Sequence, residues 1–126
     1  MSRSAVAHWA FSIPKGGREE GESEDATAVQ PEEWPVHAAV ADGATESVFS
    51  REWAEMLVEG VVETGATTAH ALSDTLANWQ AEWREHVDER IRSRPWYVGA
   101  KAAEGAFSAL LGLTLFPDGR WRALAV

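Results

Sequence analysis

Two consecutive stretches of helical periodicity, set between segments patterned as strands, constrain this chain more than any other feature. Trp53, Met56, Leu57, Gly60 and Val61 recur at helical spacing and predict a helix over residues 50–63. Ser50 is read as its N-cap, Glu52 lies in the first turn, and Gly65 stops it. Leu72, Leu76, Trp79, Trp83, Val87 and Ile91 define the buried stripe of a second helix over 68–92. Its opposite side carries Asp74, Gln80, Glu82, Glu85, Asp88 and Glu89, and Pro95 follows its end. Together the two helices form an αα-hairpin. Three strands are expected ahead of it, over 5–13, 26–30 and 36–41. The first alternates Val6, His8, Ala10 and Ser12 with the more apolar Ala7, Trp9, Phe11 and Ile13. The third is small and mostly apolar, as in a strand buried on both faces. Behind the helices, 96–105 is ambiguous in pattern, with a short helix around 100–103 as one reading. Strands over 106–116 and 120–126 then meet at the turn Pro117-Asp118-Gly119. Strands, then helices, then a hairpin describe an α+β fold built on antiparallel strands.

The 126 residues suit one domain or part of one. A net charge of −9 disfavours nucleic acid as a partner, because phosphate backbones reward clustered Lys and Arg. The chain has no cysteine, which excludes disulfides, thiolate catalysis and Cys-based zinc sites. The N-terminal stretch lacks the long apolar core of a signal peptide, and no run is long enough to span a bilayer. The expectation is a soluble, cytoplasmic protein with no membrane partner. Seven tryptophans are many for this length, and most are expected in the core or between sheet and helices.

Two acidic pairs sit at strand ends. Glu24-Asp25 precedes the second strand and Asp42-Gly43 follows the third. If those strands pair antiparallel, the start of one lies beside the end of the other, and the carboxylates converge at one rim of the sheet. Clustered carboxylates with carbonyls and water suit hard cations such as Mg²⁺ or Mn²⁺. Taken singly, Asp-Gly after a strand also reads as a turn, and Glu-Asp before a strand as a solvated pair. His8, His37, His70 and His86 are read as structural or surface residues, and Gly16-Gly17-Arg18 lacks the ending of a P-loop.

The order of these features resembles the opening of the protein phosphatase 2C family of metal-dependent Ser/Thr phosphatases. The pattern is a polar loop, Glu24-Asp25-Ala26, a short strand, a turn, an apolar strand, Ala41-Asp42-Gly43 and an amphipathic helix. The segment from Gly105 to Leu115 and the strand 120–126 resemble the strands that follow the helix pair in that family. The resemblance covers nearly the whole chain but only about half of a family domain. It implies a partial α-β-β-α sandwich, with a two-helix layer over strands belonging to parts of two sheets. It further implies that Glu24, Asp42 and the Gly43 carbonyl are metal ligands, with Asp25 supporting them, and that two Mn²⁺ or Mg²⁺ ions serve the complete site. The implied reaction is hydrolysis of phosphoserine or phosphothreonine in a phosphoprotein substrate, with Arg18 the candidate for holding the phosphate. The sequence departs from the family where Ala44, Thr45 and Glu46 follow Asp42-Gly43, and Arg18 stands at a shifted spacing. The family's remaining metal aspartates belong to a C-terminal half. The expected partners are therefore that half or a second copy. The alternative reading is a non-catalytic, degenerate phosphatase fold that binds a protein.

Overall fold

A computed structural model of the chain describes residues 6–13, 16–17, 23–44 and 47–126. It is an α+β fold in which strands β1 (Asp25–Gln30), β2 (Val36–Gly43), β3 (Ser108–Leu115) and β4 (Trp121–Ala125) form one antiparallel sheet in the order β1-β2-β3-β4. Helices α1 (Ser50–Thr64), α2 (Ala69–Ile91) and α3 (Trp96–Ala102) are inserted between β2 and β3. All four strands thus belong to a single sheet, which corrects the expectation that they are divided between two. Residues 6–13 form no strand, although their alternation is real. Alternation supplies an apolar face, but a strand also needs a ladder partner for its backbone N–H and C=O groups.

The sheet has one covered face and one open face, and the two-residue period decides which residue serves which. Toward the helices point Ala39, Ala41 and Leu110, all buried, with Ala26, Ala28 and Leu124 beside them. α1 lies on this face, against β1, β2 and β3, and its Trp53, Ala54, Leu57, Val58 and Val61 fill the space between sheet and α2. Burying each of the larger of these side chains contributes about 1.5–3 kcal/mol. α2 rides mainly on α1 through Leu72, Trp83 and Val87, and α3 closes its far end. The helix layer is therefore stacked: α1 meets the sheet and α2 backs α1.

Local chemistry explains the helix ends. Gly65 ends α1 in the left-handed conformation (φ 67°), its N–H donating to the Val61 carbonyl. Thr68 caps α2, its hydroxyl accepting from the Ala71 N–H at 3.2 Å. At the start of α1 the expected cap is displaced. Phe49, not Ser50, is the N-cap, in a left-handed conformation (φ 61°), and Ser50 is a buried first residue of the helix. The reason is tertiary. The Phe49 carbonyl accepts the Trp83 indole N–H at 3.3 Å, the Arg90 guanidinium lies 5.2 Å above the Phe49 ring, and Arg90 pairs with Glu52 at 2.9 Å. α2 thus holds the first turn of α1 in place.

The tryptophans divide. Trp53 and Trp83 are buried and meet edge to face with centroids 6.3 Å apart. Trp34 and Trp79 are half-buried, whereas Trp9, Trp96 and Trp121 are exposed. The expectation that most are covered fails for these three because none lies between the sheet and α1. Among the described residues, no helix is long and apolar enough to cross a membrane.

Candidate functional site

The antiparallel pairing of β1 and β2 brings the two acidic pairs to one rim. Asp25 stands directly opposite Asp42, and the Gly43 N–H donates to the Glu24 carbonyl at 3.2 Å. Directly opposed residues share a face, so Asp25 and Asp42 both project from the open side. Both are exposed, and both line a cleft there with Thr27, Val40 and the segment 10–13. Like charges at opposed positions repel.

Glu24 and Gly43 belong to the other face. A Cβ at Gly43 would lie 2.7 Å from the Glu24 carbonyl oxygen, 3.0 Å from the Ser50 carbonyl oxygen and 3.1 Å from the Glu24 Cβ. Only glycine fits this close approach of β1, β2 and the start of α1. Glu24 lines a separate cleft on the helix side, with Ser50, Arg51, Glu52 and Arg94. The resemblance implied Glu24 and Asp42 as joint ligands with Asp25 behind them. The register instead joins Asp25 to Asp42 and turns Glu24 toward α1. Arg18, the candidate phosphate ligand, lies outside the described residues, as does Lys15.

The donors at the rim are all oxygen, which suits Mg²⁺ or Mn²⁺ over zinc. An octahedral ion needs about six such ligands. Among the described residues, no group of three or more His, Asp or Glu side chains is placed to hold a metal. Asp25 and Asp42 amount to two of those ligands.

Sequence reasoning missed a second polar constellation, at the opposite rim and under α1. His37 Nδ1 lies 3.0 Å from Thr114 Oγ1, Thr114 Oγ1 lies 2.6 Å from Thr67 Oγ1, and Arg122 Nε donates to Thr67 Oγ1 at 2.9 Å. Thr67 and Thr114 are fully buried. The four residues come from β2, β3, β4 and the α1–α2 connection, so no spacing in the sequence announces them. Burial chiefly, and the Arg122 charge in addition, lower the pKa of His37.

The fold and rim define a class: an antiparallel sheet backed by stacked helices, with a carboxylate pair on its open side. Comparison of the chain with protein-family models, with curated proteins and with solved structures finds no match.

Proposed function

We propose that this chain is part of a protein phosphatase 2C-like, metal-dependent phosphatase domain, and that Asp25 and Asp42 are its contribution to the cation site. The observation that carries the reading is the direct opposition of these two carboxylates on the open side of the sheet. The order of strands and helices along the chain supports it. A divalent ion held there would polarise a phosphate oxygen and acidify a bound water. This chain's own part is to present two fixed carboxylates on paired strands, with the backbone of Glu24 and Gly43 tied behind them. The substrate class that follows is phosphoserine or phosphothreonine in a protein, and the compartment that suits it is the cytoplasm.

Calorimetric titration with Mn²⁺ tests this reading. Two carboxylates with water predict weak binding, with a dissociation constant on the order of 10⁻³ M. Asp42→Asn and Asp25→Asn each abolish it, whereas Glu89→Gln, on the exposed side of α2, leaves it unchanged. Mn²⁺ binding that survives both rim substitutions overturns the proposal. Any phosphate release from a phosphopeptide falls with the same two substitutions.

A second reading, a non-catalytic phosphatase-like fold that binds a protein, draws support from the want of a third acidic ligand among the described residues. It predicts no site-specific Mn²⁺ affinity in the same titration.

A further inference from the structure

We propose that the open face of the sheet is a self-association surface, occupied by a second copy of this chain around a two-fold axis parallel to the strands.

The face is stepped. Over β1 and β2 runs the segment 8–13, antiparallel to β1. His8 to Phe11 share a cleft with Thr27, Val29, Ala38 and Val40, and residues 10–13 share a second cleft with Asp25, Thr27, Val40 and Asp42. The large side chains of this segment do not settle onto the sheet: Trp9, Phe11 and Ile13 are 78%, 87% and 89% exposed. They form a raised apolar ridge. Over β3 and β4 the open side is an apolar shelf in which Leu113 and Leu115 are half-buried. Leu111 and Trp121 are 51% and 66% exposed. Register places Leu113, Leu115, Ala123 and Ala125 on the same side. Monomeric soluble proteins rarely expose contiguous apolar surface on this scale.

The shape selects both the occupant and the symmetry. The β3–β4 shelf carries no charged side chain on its open side, so a charged partner has nothing to pair with there. What fits is an apolar ridge about one strand wide, and the same chain carries one. A two-fold along the strands sets β1 and β2 of one copy over β3 and β4 of the other, so each ridge meets the other's shelf and the contact occurs twice. A two-fold across the strands would set ridge on ridge. Strands about 4.8 Å apart and rising about 3.3 Å per residue, together with 150–250 Å² for each buried aromatic, give a total of roughly 1,200 Å² for the pair. That is the lower edge of specific interfaces and predicts a reversible dimer. Asp25 and Asp42 stand beside the Ile13 end of the ridge, at the margin of the contact. The inference needs no metal and does not rest on the phosphatase reading.

Sedimentation equilibrium of the full chain over a wide concentration range tests it. The expected result is a reversible shift toward twice the 13.8 kDa chain mass. Leu111→Asp on the shelf, or Trp9→Ser with Phe11→Ser on the ridge, raises the dissociation constant about tenfold or more, as a charge or a lost aromatic in an apolar contact does. Trp96→Ser, on α3, leaves it unchanged. Far-UV circular dichroism separates misfolding from dissociation, and Trp121→Ser is the substitute should Leu111→Asp misfold. Because the chain has no cysteine, introduced thiols report the geometry. Phe11→Cys mixed with Ala125→Cys forms an intermolecular disulfide faster than either variant alone. A chain that stays monomeric at all concentrations, a dimer indifferent to both sets of substitutions, or equal cross-linking by each single cysteine variant overturns the proposal.

Discussion

At the scale of single residues, the most constrained group is His37. The Arg122 guanidinium donates to Thr67 Oγ1 at 2.9 Å, and Thr67 Oγ1 lies 2.6 Å from Thr114 Oγ1 and 3.5 Å from the Gly65 carbonyl. Thr114 Oγ1 in turn lies 3.0 Å from His37 Nδ1, so the imidazole ends a run of hydrogen bonds that begins at a permanent cation. Burial first and Arg122 second depress the pKa of His37 in the folded state. As pH falls through the ordinary histidine value of about 6.5, the unfolded chain takes up the proton first. The stability contributed by neutral His37 is therefore complete above that value and declines as pH drops toward the folded pKa. Denaturation midpoints measured between about pH 5 and pH 7.5 check this. The wild-type chain should lose stability with acid more steeply than His37→Gln, and equal slopes would remove the argument. Nothing in the local sequence around His37 reveals this role. Its partners stand thirty residues away in Thr67 and beyond seventy in Thr114 and Arg122.

At the scale of elements, the helices were legible because their apolar stripes are long and regular. Leu72, Trp83 and Val87 of α2 are buried as the pattern requires, and Leu76, Trp79 and Ile91 are half-buried. The start of α1 was misread by one residue because Phe49 is held by Trp83 and Arg90 of another helix, information that a local capping rule does not carry. The segment 6–13 was misread because alternation does not report whether a ladder partner exists. Gly60 shows a contact that the stripe hides: a Cβ there would sit 2.5–2.9 Å from the Trp79 indole. Gly60→Ala gains about 1 kcal/mol of helix propensity but overpacks the α1–α2 seat, at about 1–3 kcal/mol. The expected net effect is a loss of about 1 kcal/mol in denaturant unfolding. Trp79→Leu in the same chain should recover most of it, because it removes the ring that the methyl meets. A stabilised Gly60→Ala protein would show that the helices separate freely.

At the scale of the whole molecule, the α+β class and the meeting of the acidic pairs at one rim followed from the order of periodicities. Which carboxylates share a face did not, because a sheet's period of two makes the answer hang on register by a single residue. Asp25 opposite Asp42 sends Glu24 to the helix side, whereas a slip of one position would have sent it to the open side. That register is itself secured late in the chain. β2 and β3 are neighbours at the centre of the sheet, yet α1, α2 and α3 all lie between them in sequence. The β1–β2 and β3–β4 ladders are local hairpins, but the seam between them closes only after the long excursion has returned, against the entropy of a large loop. Folding should accordingly proceed as two small ribbons stitched together by the helices. In pulse-labelled hydrogen exchange, the amides of β2 that bond to β3 are then expected to gain protection after those of the β3–β4 turn. A clip in the connection between α3 and β3 would leave the ribbons intact while loosening the seam.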